Sequence, residues 1–131
     1  MVNDPIADLI TRLKNAGAVG HIEVRLPYSN LKKAIALTLK QASFVGDVSE
    51  DAQDNKKMLT IALLYDKDGT PRIRGVQRIS KPGRRLYAGV KDIHPIKYGK
   101  GVMVLSTPRG VLVDAEAKKQ KVGGETLFTM W

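Results

Sequence analysis

The 131-residue sequence predicts an α+β protein, with a small N-terminal α/β unit followed by a mostly β C-terminal unit. Two segments near the N-terminus repeat apolar residues at helical spacing, and three neighbouring segments have the apolar content of strands. Beyond Pro71 the sequence changes to short apolar strands separated by basic residues and Gly or Pro turns. We therefore expect two domains, at residues 1–70 and 71–131.

The first predicted helix begins at Asp4 and Pro5, because an Asp side chain caps free amide groups and Pro fits the first helical position. Its apolar residues recur at the spacing of one helix face, at Ile6, Leu9, Ile10 and Leu13. Gly17 is the expected end of this helix. The pattern predicts an amphipathic helix with Leu13 in the core.

The remaining N-terminal elements follow in the order strand, helix, strand, strand. Ile22, Val24 and Leu26 alternate with polar residues and predict a half-buried strand that ends at Pro27. A second helix is capped by Ser29 or Asn30. Its expected apolar stripe consists of Leu31, Ile35, Leu39 and Ala42. Two strands are predicted at 44–48 and 58–65, with a polar turn at 50–57 between them and a reversal at 66–69.

The C-terminal unit is predicted from shorter patterns. Val76 and Ile79 lie in a basic strand, and Pro82-Gly83 forces a turn. The elements expected after this turn are a buried strand at 102–105, a short helix at 111–121 that Gly123-Gly124 terminates, and a last strand at 127–131.

Composition excludes several classes of protein. An apolar fraction of 43% supports an ordinary core, and 27% charged residues with 12 Gly is unlike a disordered tail. The absence of Cys excludes disulfides, thiol catalysis and Cys-ligated zinc. The N-terminus carries acids where a signal peptide needs bases, and no stretch approaches the roughly 20 apolar residues of a membrane span. We expect a cytoplasmic protein.

Positive charge is concentrated in residues 72–100, which we call the basic segment. It contains nine Lys or Arg residues and one acid, Asp92, so it carries eight of the nine net positive charges of the chain. Such segregation favours a polyanionic partner, since phosphates that replace bound counterions release them. The alternative is a solvated surface without a partner, for which mixed signs are typical. The expected phosphate-contacting residues are Arg78, Lys81, Arg84 and Arg85.

Tyr87 and Tyr98 are interleaved with these bases. Aromatic side chains in a basic surface can stack on unpaired nucleotide bases. A tyrosine near a strand end is as often a residue at the edge of the core. Both interpretations stay open from the sequence.

A second group of small and polar residues lies at 106–110, between a predicted strand and a predicted helix, and Gly123-Gly124-Glu125 follows that helix. Two hydroxyls, amides at a helix N-terminus and Arg109 suit phosphates, ribose hydroxyls or base edges, as RNA recognition requires. An ordinary strand-to-helix turn, in which a hydroxyl caps the helix, explains the composition equally well.

Catalytic interpretations have little support. His21 and His94 lie near no nucleophile motif in the sequence. The run that begins at Asp66 resembles the start of a calcium loop, but Pro71 occupies the sixth position and Gln77 the twelfth. We therefore expect no catalytic residues, no metal and no cofactor. A generic basic protein that coats DNA or membranes, and an enzyme that acts on RNA, remain alternatives.

Taken together, the segment at 3–8 with the helix that follows it, the segments at 77–87, 106–111 and 123–125, and the aromatic C-terminus resemble the bacterial small-subunit ribosomal protein eight family. The resemblance covers the whole chain. It implies a non-enzymatic protein that binds the central domain of 16S ribosomal RNA directly and early, and that helps to assemble the platform of the small subunit. It also implies two tightly joined domains, an α/β domain packed on a mostly β domain, and ribosomal proteins five and twelve as neighbours.

The resemblance also implies a set of RNA-binding residues. They are Ser106 and Thr107, in the loop that ends at Gly110, together with Gly124, Glu125 and Tyr87. Arg109 is not part of that set, and its positive charge is expected to add a phosphate contact. Lys32 and Lys33 are expected to contact the RNA backbone from the N-terminal domain. Pro108 stands where the family usually has a serine, so a hydroxyl and an amide hydrogen are lost at that position.

Overall fold

The computed structural model describes residues 3–131, apart from the side chain of Tyr98. Within this range the chain forms three helices, which are α1 (Pro5–Ala18), α2 (Asn30–Gln41) and α3 (Asp114–Gln120). The strands are β1 (Glu23–Pro27), β2 (Val45–Gln53), β3 (Lys56–Leu63), β4 (Val76–Arg78), β5 (Tyr87–Ala88), β6 (Val102–Thr107), β7 (Gly110–Val113) and β8 (Gly124–Met130). Two short 3-10 turns lie at Val90–Asp92 and Lys97–Gly99.

The strands form two antiparallel sheets. The first has the order β1-β3-β2, and the second has the order β4-β8-β6-β7, with β5 also paired to β8. Helices combined with separate antiparallel sheets confirm the predicted α+β class. The sequence boundary after residue 70 falls between the two sheets, and the division into two domains stays a prediction.

Helix α1 begins where the sequence predicts. The Asp4 side chain caps it by accepting a hydrogen bond from the Ala7 amide at 3.2 Å. Its predicted apolar face is buried, and Leu13 has no exposed surface. The helix continues to Ala18, so Gly17 lies inside it and is buried against Pro71.

In the next two elements, β1 and α2, one apolar residue near each start is exposed and not buried as the sequence predicts. Val24 and Leu26 in β1 are buried as expected, but Ile22 is 82% exposed, because the strand begins one residue later. Ser29 caps α2 through the Lys32 amide. Leu31, in the first turn of α2, is 42% exposed, so the expected stripe is wrong at its first residue.

The hairpin β2–β3 is longer than predicted. The expected polar turn at 50–57 is wrong, because strand pairing extends to Gln53 and Lys56. The chain reverses at Asp54 and Asn55, whose φ angles are 53° and 63°. Two successive left-handed residues are typical of a tight hairpin turn that matches the twist of the strands.

The predicted helix at 111–121 is wrong in its first three residues. Val111 and Val113 belong to β7 and pair with Ser106 and Val104 of β6. Helix α3 starts only at Asp114 and ends at Gln120. The residue that terminates it is Lys121, with a left-handed φ of 58°, and not the glycines at 123 and 124. Val-Leu-Val is a strand-forming sequence, and the short hairpin supplies its partner.

One core cluster contains residues from both sheets. Leu59 of β3, in the first sheet, belongs to the same buried cluster as Val104, Phe128 and Met130 of the second sheet. Leu13 of α1 and Phe44 also belong to this cluster. A smaller cluster lies under α3. Helix α1 and strand β8 both contribute to the larger cluster, and both border the candidate site. No helix in residues 3–131 is long and apolar enough to span a membrane.

Candidate nucleic-acid interface

Residues 106–110 form a hairpin turn and not the helix N-terminus that the sequence predicts. Thr107 pairs with Gly110, and Pro108 and Arg109 occupy the exposed tip. The φ of Gly110 is 105°, a conformation that favours glycine. Amides at a helix end are therefore not available to a ligand at this position, and the turn presents side chains and hairpin backbone.

The hydroxyl of Thr107 closes this turn. It donates to the Gly110 carbonyl at 2.8 Å and accepts from the Arg109 amide at 3.1 Å. A hydroxyl has one hydrogen and two lone pairs, so one lone pair is left for a ligand. While the turn is closed, Thr107 can only accept a further hydrogen bond.

Gly124 lies beside β6, and its close approach is to the protein backbone. A Cβ at Gly124 would overlap the carbonyl oxygen of Ser106 and lie 3.1 Å from the Cα of Thr107. Glycine at this position allows β8 to pack against the start of the hairpin.

Glu125 lies on β8, between strands β5 and β6. It is half-buried and pairs with Ser106 of β6 on one side and with Tyr87 of β5 on the other. Tyr87 is 68% exposed. Within residues 3–131 the Glu125 carboxylate has no side-chain hydrogen bond or ion pair. Its oxygens are available to a donor from outside this part of the chain.

The residues 81–85 form a loop that we call the basic loop. Lys81 and Arg84 exchange backbone hydrogen bonds of 2.9 Å around Pro82-Gly83, which confirms the predicted turn. The side chains of Lys81, Arg84 and Arg85 are exposed and have no ion pair with the described residues. The loop therefore presents three cations to solvent.

Ser80 anchors this loop and is fully buried. Its hydroxyl donates to the Leu86 carbonyl at 3.1 Å and accepts from the Leu86 amide at 2.9 Å. Thr126 adds two hydrogen bonds to the same carbonyl, from its amide and from its hydroxyl. Sequence reasoning missed Ser80, because a serine beside a basic run resembles any polar loop residue.

Arg78 differs from the other bases in the segment. Its Nε and Nη2 atoms contact the two carboxylate oxygens of Asp4 at 3.1 and 3.3 Å, and its Nη1 atom donates to the Leu127 carbonyl. Its side chain is 13% exposed. The guanidinium is already bound by protein groups, so a phosphate would have to compete for it.

A cleft of about 310 Å³ brings the two predicted regions together, and we call it the central cleft. Its lining includes Lys81 and Arg85 of the basic loop together with Ser106 and Glu125 of the second sheet. The first residues of α1, Leu31 of α2 and Arg78 complete the wall. Cationic side chains and hydrogen-bonding groups therefore share one concave surface.

Lys32 and Lys33 lie on α2, and neither lines the central cleft. The Lys32 ammonium donates to the Pro27 carbonyl at 3.2 Å. The Lys33 ammonium pairs with Glu50 at 3.3 Å, and its hydrogen bond lowers the pKa of Glu50, with Lys57 acting in the same direction. These contacts hold both lysines, while leaving them partly accessible. The described part of the chain contains no group of three His, Cys, Asp or Glu side chains able to hold a metal ion.

Comparison with known proteins identifies the family. The family model described as "Ribosomal protein S8" matches residues 4–131. The small ribosomal subunit protein uS8 of Chloroflexus aurantiacus is 46% identical over 132 residues, which cover 99% of this chain and 98% of that protein. Those of Persephonella marina and Nitratidesulfovibrio vulgaris are 42% and 45% identical, with full coverage of both chains in each case. The chain belongs to the ribosomal protein S8 family, a structural and non-enzymatic family of the small ribosomal subunit.

Proposed function

We propose that this protein binds the central domain of 16S ribosomal RNA directly, as an early step in assembly of the subunit platform. The same proposal places it in the cytoplasm, beside ribosomal proteins five and twelve. The observation that carries the proposal is the central cleft, in which Lys81 and Arg85 face the same space as Ser106 and Glu125. A concave surface that combines cations with hydrogen-bonding groups suits an irregular RNA stem.

The basic loop provides the phosphate contacts in this proposal. Lys81, Arg84 and Arg85 are exposed on a loop whose ends are fixed by Ser80, so little conformational freedom is lost when RNA docks. Contacts of this kind set the orientation of a nucleic acid without reading its sequence. Affinity should consequently fall steeply as salt concentration rises.

The β6–β7 hairpin provides specificity. Ser106 lines the cleft and offers a hydroxyl that can donate and accept. Thr107 accepts from a ribose 2′-hydroxyl or a base amino group, since its hydrogen is used within the turn. Pro108 restricts the turn and reduces the entropy lost on binding. Arg109 at the tip adds a phosphate contact, and Gly110 lets RNA approach the hairpin backbone.

Glu125 acts as an acceptor from base amino or imino groups. A half-buried carboxylate among phosphates is unfavourable unless it is hydrogen-bonded. Because it has no donor within residues 3–131, RNA is the proposed source of its donor. Tyr87, opposite Glu125 on β5 and largely exposed, stacks on an unpaired base beside the cleft.

The remaining predicted residues have supporting roles. Lys32 and Lys33 contact the RNA backbone from α2 at a greater distance from the cleft, and Gly124 acts by holding β8 against β6. We assign Arg78 chiefly to the anchoring of α1, because its guanidinium already binds Asp4 and Leu127.

A binding assay tests the proposal directly. The purified protein is titrated into a 16S central-domain stem and into a random duplex of equal length, each at several salt concentrations. We expect tighter binding to the stem at every salt concentration. Equal affinity for both RNAs at matched salt would instead identify a generic polyanion-binding protein and overturn the proposal.

Two variants test whether the basic loop or the net charge of the protein governs RNA binding. Arg84→Ala should weaken binding to the stem and the duplex alike and should lower the salt slope by about one. Lys67→Ala is the matched control, because it removes one exposed positive charge from a turn that does not line the central cleft. A salt slope that falls equally in both variants would show that net charge, and not the basic loop, governs binding.

A further inference from the structure

A second basic cleft lies at the end of β8 opposite to Glu125. It has a volume of about 500 Å³ and is lined by Arg72, Arg74, Lys97, Gly99, Lys100 and Trp131, and we call it the tryptophan cleft. It shares no lining residue with the central cleft. At about 3.3 Å per residue, the strand from Glu125 to Trp131 separates the two clefts by about 20 Å.

Trp131 is held in a fixed position at this cleft. Its carbonyl accepts from the amides of Arg74 and Gly75 at 2.6 and 3.0 Å, and its amide donates to the Gly75 carbonyl at 3.0 Å. A Cβ at Gly75 would overlap the indole ring, and one at Gly101 would lie 3.0 Å from the Trp131 Cβ. The two glycines thus allow the indole to pack directly against the backbone.

Three of the four cations that line this cleft have no side-chain carboxylate partner in the described residues. The Lys97 ammonium lies 4.7 Å from the centroid of the Trp131 ring, and the Arg72 guanidinium lies 4.3 Å from that of Phe44. Contacts between cations and aromatic rings leave the positive charge in place. Within residues 3–131, Arg74 alone among the four cations has a carboxylate partner, Asp66 at 2.9 Å.

We propose that the tryptophan cleft binds single-stranded RNA, with one unpaired base stacked on Trp131 and the flanking phosphates bound by Lys97, Lys100 and Arg72. A fixed aromatic ring surrounded by cations is the arrangement that binds single strands without sequence preference. The exposed Lys97 side chain can move off the indole ring, so that a base stacks there, and its ammonium group can then pair with a phosphate. The volume lies within the roughly 300 to 1,000 Å³ of small-ligand sites and so admits one nucleotide.

The choice of RNA over an acidic peptide rests on the proposed function, because the central cleft is assigned to the same polymer. With both clefts occupied, the protein holds two RNA segments about 20 Å apart on one rigid strand. Its role in assembly then includes fixing the distance between a structured stem and a neighbouring unpaired segment.

The sequence provides a built-in reporter for this site. Trp131 is the single tryptophan of the chain, so tryptophan emission reports on this cleft alone. We expect a hexamer of oligoadenylate to quench the emission of the full-length protein saturably, because a stacked base quenches indole fluorescence. A hexamer of glutamate should leave the emission unchanged. Absence of saturable quenching, or equal quenching by oligoglutamate, would overturn the proposal.

Variants locate the binding site. Lys100→Gln and Arg72→Gln should each weaken hexamer binding and lower its salt slope by about 0.7, the value for one phosphate contact on a single strand. Lys14→Gln, an exposed base on α1 without an ion pair in the described residues, is the control and should change neither. Trp131→Leu, followed by anisotropy of a labelled hexamer, should weaken binding about 5- to 100-fold.

The two proposals fail independently. If Arg84→Gln abolishes hexamer binding measured by anisotropy while Lys100→Gln does not, the hexamer binds at the basic loop and the tryptophan cleft is not a site. If the hexamer binds as expected but the 16S stem is not preferred over random duplex, the proposed function fails and this site stands.

Discussion

The Nε atom of Arg78 lies 3.1 Å from Oδ2 of Asp4, across 74 positions of sequence. The other carboxylate oxygen of Asp4 accepts from the Ala7 amide and from Nη2 of Arg78. Both side chains are largely shielded, at 13% and 19% exposure. One carboxylate therefore caps α1 and also anchors this helix to β4 at the edge of the central cleft.

Asp4→Ala should destabilise the fold by about 1 to 3 kcal/mol, because it removes the helix cap and leaves a shielded guanidinium without its partner. Asp4→Asn should cost less, since it keeps a capping oxygen. Urea unfolding at neutral pH measures both differences. Equal stability of Asp4→Ala and the parent protein would contradict the anchoring role.

Ser80→Ala should loosen the basic loop. The substitution removes the side-chain acceptor of the Leu86 amide, a part-buried hydrogen bond, at a cost of about 0.5 to 1.5 kcal/mol. Amide hydrogen exchange at Leu86 should accelerate, and affinity for RNA should fall at temperatures where the variant stays folded. Thr126→Val removes one donor to the Leu86 carbonyl and leaves the amide bonded to Ser80, so it should affect exchange at Leu86 less. If the two variants exchange equally, Ser80 is not the anchor.

Helix α1 could be predicted from the sequence because its signals are local. Asp4 and Pro5 mark the start, and the spacing of Ile6, Leu9 and Leu13 marks the buried face. The β2–β3 hairpin was underestimated because Ser49 to Gln53 are exposed and show no apolar alternation. Strand pairing in this part of the hairpin depends on the left-handed turn at Asp54 and Asn55. The backbone angles of that turn could not be predicted from the polar sequence around it.

The candidate site was predictable in its composition but not in its arrangement. Glu125, Ser106 and Tyr87 are brought together by the register of three strands, which no local pattern specifies. The different roles of Arg78 and Arg85 could not be predicted from the sequence. Arg78 is bound by Asp4, which lies 74 positions away in the sequence. Partner and register are tertiary properties, whereas charge concentration is a property of the sequence alone.

Gly124→Ala should destabilise the protein by about 1 to 3 kcal/mol, because the added methyl group overlaps the Ser106 carbonyl. Gly83→Ala is the matched control, since a Cβ there meets no atom within 4 Å and the backbone is not left-handed. We expect the control to be neutral or stabilising by up to about 1 kcal/mol. Thermal unfolding compares them, and similar midpoints for the two variants would show that β8 does not need the close approach.

Leu13→Ala should reduce stability by roughly 2 to 5 kcal/mol, because the side chain is fully buried in the shared core and leaves a cavity. Leu37→Ala, on α2 and 40% exposed, should cost much less. Denaturant unfolding followed by circular dichroism measures both. Losses of equal size would contradict the assignment of Leu13 to the core.

Thr107→Val tests the hairpin as the source of specificity. Valine keeps the shape of threonine but removes the hydrogen bonds to the Gly110 carbonyl and from the Arg109 amide, together with the acceptor proposed for RNA. Loss of one specific contact is worth about 1 to 3 kcal/mol, so the preference for the 16S stem over random duplex should fall about 5- to 100-fold. Thr11→Val removes an exposed hydroxyl from α1 and should leave this preference unchanged. Gel-shift titrations of both RNAs measure the ratio, and a Thr107→Val protein that keeps the parental ratio would show that recognition lies elsewhere on the surface.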